Sequence, residues 1–232
     1  MSYRARWGSV LSYLLLAGVG FIIAPAVSQT PADEIAQIVI PSLDVAVLRA
    51  EDEVHTIEGL APRYAIPTPV LVRPDIFGTW DDSRADVRTW RLRIISPRAL
   101  SLNLGFSKYF MPPGGELRLY ATEGSYALDP YTAADNADHG QLWTAVVLSD
   151  DMIVQVTVPR NVESQLTLVL TSVNVGYRYF GEILPPTDTT SYCEIDVVCP
   201  SANPWRAEIP AIAAISIGGS MTCTGFMVNN TA

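Results

Sequence analysis

Lysine is almost absent. Lys108 is the single one in 232 residues, and Lys and Arg together number 15 against 24 Asp and Glu, for a formal charge of -9. Nucleic-acid binding neutralises phosphates with clustered cations, so this balance excludes an extended nucleic-acid surface. Histidine is nearly as scarce, with only His55 and His139, which confines any imidazole chemistry to two positions. Cysteine occurs three times, as Cys193, Cys199 and Cys223, all within the last 40 residues. What the sequence has in quantity is apolar side chains, at 49%. That is enough for one large or two small packed domains and too much for disorder throughout.

The amino terminus lacks the length of a membrane span. Its mostly apolar stretch, Val10 to Ile23, covers 14 residues, or about 21 Å of helix against a hydrocarbon core of roughly 30 Å. Arg4 and Arg6 precede it, and Ala24, Ala26 and Ser28 follow as small residues. This is the pattern of a secretory signal, with cleavage expected between Ser28 and Gln29 and only transient membrane contact. Cleavage removes two arginines and no acid, so a secreted, extracellular and still more acidic chain is expected. In that oxidising setting cysteines pair, and three cannot all pair within one chain. The spacing of Cys193 and Cys199 is not the C-x-x-C of a zinc site, so no metal is expected there. Either one local disulfide leaves a free thiol, or the partners lie beyond Ala232.

Along the chain, residues 29–70 predict a helix and a linker. Ser42 can cap a helix in which Leu43, Val47, Ala50 and Val54 form one apolar stripe. Glu51, Asp52 and Glu53 crowd its carboxyl end, where the helix dipole disfavours them. Pro62, Pro67 and Pro69 then make the run to Val70 an extended spacer. From Leu71 to about Gly181 the period becomes two. Trp90, Leu92 and Ile94 alternate with Arg91 and Arg93, and Leu100, Leu102, Leu104 and Phe106 with Ser101, Asn103 and Gly105. Leu117 to Ala121, Val154 to Val158 and Leu166 to Leu170 repeat it between turn-rich connections. Strands in succession predict a mainly β fold, an antiparallel β-sandwich over residues 71–182. The polar stretch 183–192, with Pro185-Pro186 at its start, predicts a protease-accessible linker. Ile209 to Ile217 and Met221 to Val228, joined by Gly218-Gly219, predict a hairpin. A lone hairpin is marginal in water, so 193–232 has the look of a domain begun rather than completed.

The residues that could carry chemistry do not converge. His55 sits on the polar side of the predicted helix with no oriented partner nearby. His139 lies in Asp135-Asn136-Ala137-Asp138-His139-Gly140, better suited to a turn held by Asp and Asn side chains than to a metal-ligand motif. Asp81-Asp82 and Asp150-Asp151 are adjacent pairs, which an extended chain points to opposite faces. Ser220 follows two glycines without the G-x-S-x-G elbow. Asn229-Asn230-Thr231 fits the N-glycosylation pattern. No catalytic residue and no cofactor are expected from these groups.

The last 40 residues carry a specific likeness. Cys193-Glu194-Ile195-Asp196-Val197-Val198-Cys199-Pro200, then Trp205-Arg206, then Met221-Thr222-Cys223-Thr224-Gly225-Phe226-Met227-Val228-Asn229-Asn230-Thr231-Ala232, resembles the mature amino terminus of lysyl-endopeptidase-like bacterial serine proteases of the trypsin-like family. The upstream strings from Trp90, Leu100 and Thr132 are similar to the propeptide of such proteases. The resemblance implies that 193–232 begins a trypsin-like β-barrel, incomplete here. It implies that Cys223 pairs with a cysteine beside the catalytic histidine, and that Cys193 and Cys199 tie the mature amino terminus to later chain. The triad, the oxyanion hole and the specificity pocket are then expected downstream, and this chain is expected to be inactive. The upstream domain is expected to assist folding and to hold its own protease domain inactive until 183–192 is cut; protein or peptide substrates belong to the full-length enzyme. No Lys or Arg lies between Glu182 and Tyr192, so self-cleavage there by a lysine-specific enzyme is not supported. The alternative is a secreted non-enzymatic β-sandwich that binds a carbohydrate or protein through Tyr120, Tyr126 or Trp143.

Overall fold

The computed structural model describes residues 31–179, 200–217 and 220–226. The expected signal and its Ser28–Gln29 cleavage point, the 183–192 linker, Cys193, Cys199 and the glycosylation pattern lie outside them. Among the described residues the chain is mainly β, in two sheets and a separate hairpin, none closed into a barrel.

The first sheet is built on β4 (Val87–Ile95), which pairs antiparallel with β9 (Asp151–Pro159) along its whole length. β6 (Glu116–Ala121) continues from β9, and β7 (Tyr131–Thr132) from β6. The other edge of β4 is shared. β3 (Thr79–Asp81) pairs antiparallel with Thr89 to Arg91, and β1 (Gln37–Val39) pairs with Arg93 to Ile95. The β1 pairing is parallel, a departure from the expected all-antiparallel arrangement. More than 45 residues of chain separate β1 from its partner, so no tight turn dictates its direction.

The second sheet runs in the order β2, β10, β5, β8, with β2 at Ala65–Val72, β5 at Ser101–Phe110, β8 at Leu142–Trp143 and β10 at Thr167–Gly176. The run from Ala65 to Val70 is therefore a strand of this sheet and not a spacer, and the boundary expected at residue 70 falls inside β2. Extended backbone and a paired edge strand are compatible with proline, provided the missing N–H faces away from the ladder. Both sheets supply one buried cluster. Trp90, Leu92 and Ile94 from β4, Leu117 and Leu119 from β6, and Val154 and Val156 from β9 meet Leu102, Leu104 and Phe106 from β5 and Leu170, Val173 and Val175 from β10.

The alternation on β5 is less strict than its sequence. Ser101 and Asn103 are buried as well as Leu102 and Leu104, and the Gly105 backbone lies directly under the Trp143 ring. Arg91 and Arg93, which alternate with the apolar residues of β4, are buried and half-buried. Arg91 donates to Gln155 Oε1 at 2.8 Å, and Arg93 forms a two-point ion pair with Asp151 at 2.9 and 2.5 Å. Burial of a guanidinium is tolerated because its several donors are satisfied.

The helix α1 (Val45–Ile57) is capped by Asp44, whose carboxylate accepts the Val47 N–H at 3.2 Å, not by Ser42. It ends where Gly59, at φ +71°, lets Gly59 N donate to Thr56 O and Leu60 N to His55 O, the paired bonds of a glycine-terminated helix. Its apolar stripe does not face the core. Val47, Ala50 and Val54 face outward, Val47 and Val54 being more than half exposed, and the buried residue of the helix is Asp52.

Two glycines separate backbone freedom from space. Gly59 has open surroundings, whereas a Cβ on Gly78 (φ +121°) would stand 2.0 Å from Trp90 Nε1. Gly59→Ala should cost about 1 kcal/mol, the left-handed penalty alone. Gly78→Ala should cost about 3 kcal/mol or more, because strain and overpacking coincide. Urea unfolding of the two variants measures the difference.

Candidate functional site

The acid that sequence reasoning placed unfavourably at a helix end is the hub of a polar cluster. Asp52 lies on α1 in line with Val45, Leu48 and His55, the face turned to the protein. Its Oδ1 accepts Arg63 Nε at 2.9 Å, and its Oδ2 accepts the Tyr177 hydroxyl at 2.6 Å and Arg178 Nη1 at 3.0 Å. Arg63 also donates to Glu51 Oε2 at 3.0 Å. One carboxylate thus joins the helix, the entry to β2 and the residues leaving β10. Tyr177 and Arg178 N–H both donate to Tyr64 O, which repeats the same tie through the backbone.

Burial pushes the Asp52 carboxyl up, but the Tyr177 hydroxyl and the Arg63 and Arg178 guanidinium groups more than offset this, and the carboxyl titrates below its ordinary value. Tyr177 moves the opposite way, to about 12, through burial and its bond to the Asp52 carboxylate.

A groove of about 530 Å³ lies elsewhere, lined by Arg73, Trp80, Arg88, Lys108, Glu163 and the first residues of β10 among others. The Arg88 guanidinium sits 4.3 Å over the Trp80 ring and is held by Asp82 at 2.6 and 3.0 Å and by Glu163. Arg73 is paired with Asp75. The arginines of this groove are therefore already neutralised, which leaves Lys108 as its exposed cation. Lysine on the outer stretch of a strand also discourages edge-to-edge pairing.

The sequence-predicted groups are dispersed. His139 lies in a turn, where its Nδ1 accepts the Gln141 N–H at 3.1 Å. The same turn is held by Asp135, which accepts the Thr132 N–H at 2.6 Å, and by Asn136, which bonds Met111 N and O rather than its own backbone. His55 is half-buried on α1, and Ser220 opens β12 (Ser220–Phe226), paired with β11 (Ile212–Ile217). The expected first strand from Ile209 begins instead at Ile212, after a short 3-10 turn over Ile209–Ala211. Cys223 falls within β12, opposite Ile215.

The acidic pairs do split. Asp81 reaches Arg91 and Asp82 reaches Arg88; Asp151 takes Arg93, and Asp150 accepts the Arg98 N–H at 3.1 Å. Asp81 ends β3 and Asp151 opens β9, while Asp82 and Asp150 fall in the adjoining non-strand residues, where Asp81 also accepts the Ser83 N–H at 2.9 Å. Of the aromatics, Trp143 is 56% exposed, whereas Tyr120 and Tyr126 are half-buried and the Tyr120 hydroxyl donates to Gln155.

Among the described residues no group of three or more His, Cys, Asp or Glu is placed to hold a metal ion. No helix among them is long and apolar enough to cross a membrane. No known protein-family model matches the chain. The Asp52 cluster was the polar feature that sequence reasoning missed; the signal was an acid at the same helical phase as Val45 and Leu48.

Asp52→Asn should lower stability at pH 7 by about 2 kcal/mol, because Arg63 and Arg178 lose their counter-charge in a partly buried setting. The folded carboxyl titrates low, so its contribution is present above the unfolded value near 4 and is lost as pH falls through the folded one. The gap between wild type and variant should therefore shrink below about pH 4. Urea midpoints between pH 2.5 and 7 follow it.

Proposed function

We propose that this chain is the amino-terminal part of a secreted serine endopeptidase precursor, in which the two-sheet unit is a β-sandwich prodomain that assists folding of the protease and inhibits it. The observation that carries this reading is the juxtaposition of the strings Cys193 to Pro200 and Met221 to Ala232 with an upstream unit whose buried cluster is assembled from residues 38 to 175. A unit that closes its own core can act on the chain that follows without being part of it. The 183–192 stretch, rich in Thr and Pro, supplies the connection to be cut.

Under this reading Ser28–Gln29 is the export cleavage point. Cys193, Cys199 and Cys223 are disulfide partners for downstream cysteines. His139 and Ser220 take no catalytic part. The prodomain's partner is its own protease domain, and hydrolysis follows an acyl-enzyme route carried by residues of that domain.

A second reading rests on Trp143, whose exposed ring lies against the Gly105 backbone and offers a flat apolar platform, as a binding module would. The two are separated by adding the purified chain to the mature protease encoded in the same frame and following hydrolysis of a chromogenic peptide. Slow, saturable inhibition is expected. Unchanged turnover at large molar excess sinks the prodomain reading, and quenching of Trp143 fluorescence by a soluble glycan would favour the binding module.

A further inference from the structure

Helix α1 turns its apolar stripe away from the core. Ile57 is 86% exposed, and Val47, Val54 and Leu60 are each more than half exposed. Val47, Ala50, Val54 and Ile57 recur at i, i+3, i+7 and i+10, one continuous face of the helix, and the Gly59 turn carries Leu60 on beyond it. Isolated apolar residues on a surface need no explanation, but a contiguous stripe on an element fixed by a buried ion cluster does. The helix cannot roll its stripe inward without pulling Asp52 away from Arg63, Tyr177 and Arg178.

One strand of the following segment begins beside the connection that leaves this stripe. Arg63 forms an antiparallel bridge with Ser220, the first residue of β12. The bridge is antiparallel and a single pair; pairing continued in the same register would bring Met221 opposite Pro62 and Thr222 opposite Ala61, along the connection toward Leu60 and the end of α1. Extension the other way along β2 is limited, because Pro67 and Pro69 have no N–H to offer. The residue that bridges to β12 is thus one of those the Asp52 cluster holds.

We propose that the outward stripe of α1, continued through Leu60 to the Arg63 edge, is the docking surface for the domain that begins with β11 and β12. This deepens the prodomain reading and rests on it for the identity of the occupant. The contact serves as a template: the prodomain aligns the first hairpin of the downstream domain beside a preformed edge, and the apolar stripe is covered as that domain completes.

Two measurements test this. In the full chain with Cys193, Cys199 and Cys223 replaced by Ser, the pair Pro62→Cys and Met221→Cys should cross-link under mild oxidation, with Ala61→Cys and Thr222→Cys covering the opposite face. Neither pair touches Arg63. The pair Leu71→Cys and Met221→Cys, at the far end of β2, should not cross-link. Cross-linking no better at 62–221 or 61–222 than at 71–221 overturns the proposal.

In the second arm, Val54→Lys with Ile57→Lys should leave the urea midpoint unchanged, since both residues are exposed, and should weaken inhibition of the mature protease at least tenfold. Leu71→Lys with Ile76→Lys, equally exposed elsewhere, should inhibit as wild type does. If the α1 variant also inhibits as wild type does, the docking surface is wrong while the prodomain reading stands. If wild type itself fails to inhibit, the prodomain reading falls, and the cross-linking arm alone decides the contact.

Discussion

Everything else in residues 31–179 answers to one constraint: two sheets bury their apolar side chains in a single cluster. Trp90, Leu92, Val154 and Leu119 on one side and Leu104, Phe106, Leu170 and Val173 on the other must be brought together before any loop or helix can be placed. The long β4–β9 and β10–β5 pairings fix the register on each side. A slip of one residue would turn each inward set outward. The short elements β1, β3, β7 and β8 fill edges around those pairings. Gly78 and Gly105 stand where backbone must pass directly against Trp90 and Trp143.

The polar groups of the first sheet follow from the same constraint. Once both sheets turn one face to the common cluster, charged residues collect on what remains, and they are paired there. Arg91 with Gln155, Arg93 with Asp151, and Arg88 with Asp82 and Glu163 convert an arginine-rich strand into a set of satisfied donors. Most such pairs are partly exposed and add little stability one at a time. Asp52 differs because it is buried and ties three separate segments. It decides where α1 sits and which of its faces is left exposed.

The sequence determined much by itself. Alternating apolar positions located β4, β5, β6, β9 and β10, because a strand buried on one face must repeat every two residues. The adjacent acids were correctly expected to diverge, since neighbours on extended chain point apart. The strings at Cys193 and Met221 supply the family resemblance on which the functional proposal stands. What only the tertiary structure decided was the partner of each strand, the parallel pairing of β1 and the face of α1. The stripe of Val47, Ala50 and Val54 satisfied helical periodicity as well as the opposite face did, and a local pattern cannot weigh a buried carboxylate against partners 11, 125 and 126 residues away. Arg63 is brought beside Tyr177 and Arg178 only when β2 pairs with β10, so the choice of face belongs to the assembled fold.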